Sequence, residues 1–387
     1  MAHLKSYLQQ LEQDFTIDTA KLKYVTNHFV KELEKGLSVK GGSIPMIPTR
    51  VMNYPTGEEK GKYLVLDLGG TNIRVYSIEL TGEKSGFKID QVQHKLPNEL
   101  KTGNADQLWD FVTEILESFL QKAGFDLNVT TDLTYLNSDT AIGCVFGTGC
   151  NGAYIERSPA IHKLASENLP ANSLMAINCE WGAFDNEHAV LPLTSFDIAI
   201  DEASPRKGQQ AFEKMVAGLY LGELFRLIML DVHKQNPETF FKGQKVEKLQ
   251  EPYFMDSSFL SAIEEDTSDH LKDALDMSVS TLGVSPTYEE LKFMKEVATL
   301  ITTRAARLSA SGVGAICKKR DLVKCHVGVE GSLFEKHPHF KRELSKALGE
   351  ILDWDDMPKS SKENVEFMLS PGSGVGAAVI ASTLKRN

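Results

Sequence analysis

The sequence predicts an α/β fold in which one structural unit occurs twice, arranged as two domains. Three observations predict it. Residues 63–68 and 73–78 are β-rich runs joined by Gly69-Gly70-Thr71-Asn72, a glycine-led hairpin turn. The arrangement recurs as strand 141–146, the small-residue turn Gly147-Thr148-Gly149-Cys150-Asn151-Gly152, and a returning strand at Ala153-Tyr154-Ile155. Long apolar helical runs follow this second copy, and 387 residues are enough to bury two sizeable cores.

In chain order, Leu8, Leu11 and Phe15, then Leu22, Val25, Phe29, Val30 and Leu33, recur at helical spacing and predict a helix in two pieces, ended by Gly36 and then Gly41-Gly42. Residues 44–57 are punctuated by proline, which fixes its own backbone and keeps the preceding residue out of the helix, so they read as an extended connector into the first hairpin. A helix over 111–122 lies between the hairpins. Phe212, Met215, Val216, Leu219, Phe225, Ile228 and Met229 make 209–235 one long helix, buried on most sides. Residues 293–316 read as another. The stretch 234–285 is charged and mixed, and reads as surface helices and loops. His326 to Val329 form a strand that enters a turn at Glu330-Gly331-Ser332, and an alanine-rich helix begins at Ala377 after Gly372-Ser373-Gly374.

Composition narrows the function classes. With 42% hydrophobic and 25% charged residues the chain is globular, and its formal charge of -11 gives no electrostatic footprint for nucleic acid. The five cysteines are dispersed without a C-x-x-C pair, which points away from a disulfide framework or zinc site and towards a reducing cytoplasm. The N-terminus builds no signal-peptide core, and no apolar run approaches the ~20 residues of a membrane span. Asn128-Val129-Thr130 matches a glycosylation acceptor, which without a secretory signal reads as chance.

Asp67-Leu68-Gly69-Gly70-Thr71-Asn72-Ile73-Arg74 has the parts of a phosphate site. Glycines let backbone N–H groups approach phosphate oxygens, the threonine adds a donor, and Asp67 can hold a hydrated magnesium ion. Taken alone, it fits an ordinary glycine-turn hairpin equally well. The second turn spells G-x-G-x-x-G, but a dinucleotide fingerprint needs a helix directly after the glycines, and here a strand follows. Paired with the first hairpin it supplies a second phosphate clamp and the amide of Asn151. No Walker-type lysine loop occurs. Glu180 and Glu223 each lie in apolar company and require partners, which a polyhydroxylated ligand, the backbone or an arginine would satisfy.

Together these pieces resemble the hexokinase family, of the single-unit fungal type. The resemblance runs from Ile44-Pro45-Met46-Ile47-Pro48 and Pro55-Thr56-Gly57 through Leu66 to Asn72, Phe146-Gly147-Thr148-Gly149, Asn178-Cys179-Glu180-Trp181-Gly182, Asp185-Asn186-Glu187-His188, Phe212-Glu213-Lys214-Met215, Tyr220-Leu221-Gly222-Glu223, Arg304 to Leu308 and Gly331-Ser332. It implies the actin-like ATPase (ribonuclease H-like) duplicated fold. The large domain would take 1–57 and 131–370, and an incomplete small domain 58–130 and 371–387. It also implies phosphorylation of a hexose 6-hydroxyl with ATP and Mg2+, in a cytoplasmic monomer or homodimer. Asn151, Glu180 and Glu223 would bind the sugar. Asp67, Gly69, Gly70, Thr71, Asn72 and Arg74 would form the first phosphate loop, Gly147, Thr148 and Gly149 the second, and Gly331, Ser332, Gly372 and Gly374 the nucleotide side, with Asp67 at the metal.

The sequence departs from the family in two ways. Glu330 and Pro371 stand where the family usually has aspartate. More seriously, the family's L-G-F-T-F-S-x-P strand, W-T-K-G turn and N-D-T-x-G turn, whose aspartate is the general base, cannot be found in 110–140; Asp126, Asp132 and Asp139 are the later carboxylates there, and Asn128-Val129-Thr130-Thr131 is at best a remnant of the base turn. No catalytic base is therefore assigned. A catalytically weak relative that binds sugar or nucleotide as a sensor or regulator is the alternative reading. A shortened small domain also predicts an exposed edge on its sheet, which a complete five-stranded domain would contradict.

Overall fold

The computed structural model describes residues 2–52, 55–69, 72–83, 86–101, 104–122, 140–167, 169–170, 173–354, 365–370 and 373–384. The chain opens with α1 (Ala2–Phe15) and α2 (Thr19–Ser38), the two helical pieces expected from periodicity. Asp18 caps α2 by accepting the Lys21 N–H at 2.7 Å. Gly36 does not end α2. It lies inside the helix against the carbonyl of Ile44, where a side chain would collide, and the helix stops two residues later. The proline-rich connector contributes only β1 (Ile47–Pro48).

The first hairpin is β2 (Lys60–Leu68) and β3 (Asn72–Thr81), followed by β4 (Phe87–Lys95), a third strand whose charged, weakly alternating sequence gave no clear signal. These strands form an antiparallel meander with β3 in the middle. Alternation along β3 splits its side chains between two faces. Ile73 and Val75 pack with Val112, Ile115 and Phe119 of α4 (Ala105–Lys122), which follows the single turn α3 (Asn98–Lys101). Tyr76, Ile78 and Leu80 pack with Val375 and Ala378 of the last helix, α13 (Ser373–Leu384). The sheet is thus covered on both faces. Among the described residues β2 pairs with β3 alone, and Leu64 and Leu68 are 51% and 43% exposed.

The second hairpin is β5 (Thr140–Phe146) and β6 (Cys150–Arg157), followed by β7 (Leu174–Asn178). They form the same antiparallel meander, extended beyond β7 by β1. Here the outer edge of the first strand is occupied. β8 (Cys325–Glu330) pairs with β5 in parallel, and β9 (Val365–Leu369) pairs with β8 in parallel. The duplication therefore extends to the three-strand meander. Among the described residues, the two parallel strands occur only in the second copy.

The remaining helices are α5 (Ser195–Ala203), α6 (Ala211–Val216), α7 (Gly218–Gln235), α8 (Ser257–Glu265), α9 (Lys272–Leu282), α10 (Tyr288–Arg320), the single turn α11 (Ser332–Glu335) and α12 (Pro338–Ile351). α10 is the spine. A Thr287/Glu290 capping box starts it, and it packs on α1, α2, α7, α8 and α12. The expected single helix over 209–235 is two helices, because Ala217 is extended (φ -85°, ψ 143°) and the Gly218 N–H turns to the carbonyl of Gly147 at 2.7 Å. That tertiary bond ties the helix break to the second glycine turn.

Candidate active site

The two glycine turns belong to different sheets. In the first, the Gly69 N–H donates to the Asn72 carbonyl at 2.9 Å. Asp67 and Arg74 are paired across β2 and β3, and Nη1 of Arg74 donates to Oδ2 of Asp67 at 3.1 Å. The same Nη1 lies 4.0 Å from Oε1 of Glu330, at the end of β8. Arg74 therefore joins the small-sheet loop to the large-sheet strand. Gly70 and Thr71 lie outside the described residues.

In the second turn the Gly147 N–H donates to the Gly149 carbonyl at 3.0 Å, leaving Thr148 exposed at the tip. Gly331 sits beside it at φ 120°, and a β-carbon there would run into the carbonyl oxygen of Phe146. Only glycine fits both the conformation and the contact. Ser332 follows directly at the start of α11. The Gly147 turn, Gly331 and Ser332 thus form one surface of closely approached backbone. Gly374 has a packing role instead, since a β-carbon on it would come 2.8 Å from the Tyr76 ring, so it sets how closely α13 lies on β3. Gly372 lies outside the described residues.

Sugar-site candidates converge at the start of β6. Nδ2 of Asn151 donates to Oδ1 of Asn178 at 2.7 Å and to Oε1 of Glu180 at 3.2 Å, while its Oδ1 accepts the N–H groups of Gly152 (2.7 Å) and Glu180 (3.0 Å). Glu180 occupies the left-handed region (φ 55°, ψ 45°), unusual for a non-glycine residue, and the Asn151 carbonyl bond holds its N–H there. Glu213 of α6 completes the group. Its Oε2 accepts the Cys150 N–H at 2.9 Å and lies where a β-carbon on Gly149 would be 2.8 Å away. Burial raises the pKa of Glu213, and the charge of Glu180 adds to the rise against the opposing Cys150 N–H. The two carboxylates are therefore close enough to interact.

Glu223 is placed elsewhere, and the expectation that it faces a sugar is corrected. Its two oxygens accept Nη2 and Nε of Arg226 at 2.6 and 2.7 Å, and Oε2 also accepts the Tyr253 N–H at 2.7 Å. Of the partners open to it from sequence, it takes the arginine. The Ala217 break explains the exchange, since it lets α6 and α7 diverge and leaves Glu213, not Glu223, beside Asn151. Glu213 stood in a quoted family motif without a role, and Asn178 likewise; the available signal was a carboxylate in the buried run Phe212 to Met215. The neighbouring motif is architectural. Asp185 accepts the N–H groups of Ala189, Val190 and Leu191, and Asn186 accepts that of Ala211 at the start of α6.

Carboxyl oxygens accept hydrogen bonds, so Glu180 and Glu213 suit a ligand rich in hydroxyl donors. Among the described residues no group of three or more His, Cys, Asp or Glu could hold a metal, and no helix is long and apolar enough to cross a membrane. All five cysteines are buried thiols. Asp126, Asp132, Asp139 and the 128–131 stretch lie outside the described residues.

Two family models described as hexokinase match the chain, one over residues 141–383 and one over 7–162. The chain is 45% identical to a hexokinase of Emericella nidulans, covering 99% of this chain and 92% of that protein. It is 38% identical to Hexokinase-2 of Saccharomyces cerevisiae, covering 99% and 93%. The Emericella alignment spans 453 positions against 387 residues here, so that protein carries residues without counterparts in this chain. Among solved structures, the Schistosoma mansoni hexokinase complexed with glucose superposes with a TM-score of 0.85 at 25% identity over 98% of this chain and 99% of that one. With sequence, meander topology and solved relatives in agreement, this chain belongs to the hexokinase family and has its actin-like ATPase fold.

Proposed function

We propose that this protein phosphorylates a hexose of the glucose type at its 6-hydroxyl, taking the phosphoryl group from ATP bound with magnesium. The observation that carries the reading is the continuity of sugar cluster and phosphate turn. The Cys150 N–H that bonds Glu213, and Asn151 that bonds Glu180, follow directly on Gly147-Thr148-Gly149. A sugar held by Glu180 and Glu213, with Asn151 orienting Glu180, would lie beside backbone able to receive a phosphate. The residues also fit the nucleotide: Gly331 and the Gly147 turn present bare backbone, and Asp67 offers one carboxylate, which suffices for an ion that keeps several waters and shares the phosphates. When bound, magnesium ATP supplies the phosphoryl group and the countercharge. The chain's own residues orient the hydroxyls through Glu180 and Glu213 and steady the loops through Arg74.

A second reading, a weak or inactive relative that binds sugar or nucleotide as a sensor or regulator, is favoured by the absence of the N-D-T-x-G turn from the sequence and by the longer alignment with the Emericella protein. A positioned base contributes about 10²- to 10⁴-fold in rate. A coupled assay with ATP and glucose, run beside calorimetry with each ligand on the same chain, decides between the two. Turnover of about 1–10³ per second supports the first reading. Binding of both ligands with turnover lower by about 10²- to 10⁴-fold supports the second. Failure to bind glucose at all overturns the sugar site on which the first reading rests.

A further inference from the structure

We infer that Asn178 is a positioning residue of the sugar site, holding Asn151 and the Glu180 carboxylate in one arrangement and so setting hexose affinity through them. The inference rests on the proposed sugar site and adds to it a residue without a role so far. Asn178 ends β7, and its backbone is fixed from both sides, opposite Ala153 of β6 and Ile47 of β1. The bonds flanking it are equally anchored: the Cys179 N–H donates to Gly152 at 2.9 Å, and Met46 donates to the Cys179 carbonyl at 3.0 Å. From this rigid point its amide works in both directions. Oδ1 accepts Asn151, and Nδ2 donates to Oε1 of Glu180 at 2.9 Å. Asn151 is then fully committed, with two donated and two accepted bonds. Glu180 has one oxygen held by two amide donors, which leaves Oε2 to be turned towards a ligand.

This network separates a positioning role from a general stability role, because two backbone N–H groups report on it without any sugar. Those of Gly152 and Glu180 both donate to Oδ1 of Asn151. If Asn178 anchors Asn151, Asn178→Ala will speed hydrogen exchange at Gly152 and Glu180 by about 10-fold or more while the rest of β5 and β6 keeps its protection. In the same variant glucose affinity, followed by calorimetry on the full chain, will fall by about 10- to 100-fold, the loss expected for a bond to a charged group. Asn178→Asp keeps the size and the acceptor for Asn151 but loses the donor to Glu180. It will retain protection at Gly152 yet bind glucose about 10-fold more weakly. Unchanged exchange at Gly152 and Glu180 in Asn178→Ala overturns the inference, and so does wild-type glucose affinity in Asn178→Asp. If the wild-type chain binds no glucose, the proposed function falls and the exchange experiment alone decides the role of Asn178.

Discussion

Replacing Glu264 by glutamine will remove an alkaline loss of stability that the wild-type chain carries. Glu264 lies in the last turn of α8 with its side chain 3% exposed; Oε1 accepts the Thr302 hydroxyl at 2.7 Å, and Oε2 has no partner among the described residues. Burial pushes its carboxyl up to about 8 from the ordinary 4.5. His337, whose Nε2 lies 3.8 Å away, is pushed down to about 4 from 6.5, again by burial. Near neutral pH the two are therefore a protonated acid beside a neutral imidazole, and their proximity is not an ion pair. Between about pH 4.5 and 6.5 the unfolded chain has lost the Glu264 proton that the native chain keeps, and has gained a His337 proton that the native chain lacks. The two slopes cancel. Above pH 6.5 only the Glu264 slope remains, and stability falls until about pH 8, over one and a half pH units at about 1.36 kcal/mol each. The loss is about 2 kcal/mol. In Glu264→Gln this fall disappears, and stability instead rises from about pH 4 to 6.5 on the His337 slope alone. Urea unfolding of both chains at half-unit pH steps, compared as a difference so that other groups cancel, measures the term. Parallel profiles between pH 6.5 and 8 would refute the reasoning.

Three further outcomes follow from the site. Glu213→Gln will weaken glucose binding by about 10-fold or more with little change in melting temperature, whereas Glu223→Gln will leave glucose affinity unchanged and lower stability by about 3–5 kcal/mol, because Arg226 is left buried with half its partner; calorimetry and thermal melts on both variants check the pair. Gly331→Ala forces a side chain into φ 120° and against the Phe146 carbonyl, so it will cost about 2–4 kcal/mol and abolish nucleotide binding measured by calorimetry. Asp67→Asn will weaken magnesium ATP by about 10-fold while glucose affinity holds, and a nucleotide titration with and without the metal tells this apart from general loosening of the β2–β3 turn.

Local chemistry is why much of the plan was legible. Glycine-led turns between β-rich runs located both hairpins, because turn residues and strand alternation act over a few positions. The helical spacing of Leu22, Val25, Phe29 and Leu33 placed α2 for the same reason, and their burial confirms the face. Among the described residues the small sheet has three strands, and β2 pairs with β3 alone. Two readings failed where a distant segment decided. Gly36 looked like a helix stop, but it is spaced against Ile44, and the run from Gln209 looked like one helix until Gly218 bonded to Gly147.

What the sequence by itself determined was the family plan, the two glycine turns, and Asn151 and Glu180 as polar residues awaiting partners, all of which depend on residue types within short motifs. Only the tertiary structure decided which second carboxylate joins them. Glu213 and Glu223 both lie among buried apolar neighbours, and periodicity treats them alike. A single long-range bond from Gly218 to Gly147 parts the helices that carry them. It leaves Glu213 on Cys150 and Glu223 on Arg226, because a buried charge takes whichever partner the packing brings within reach.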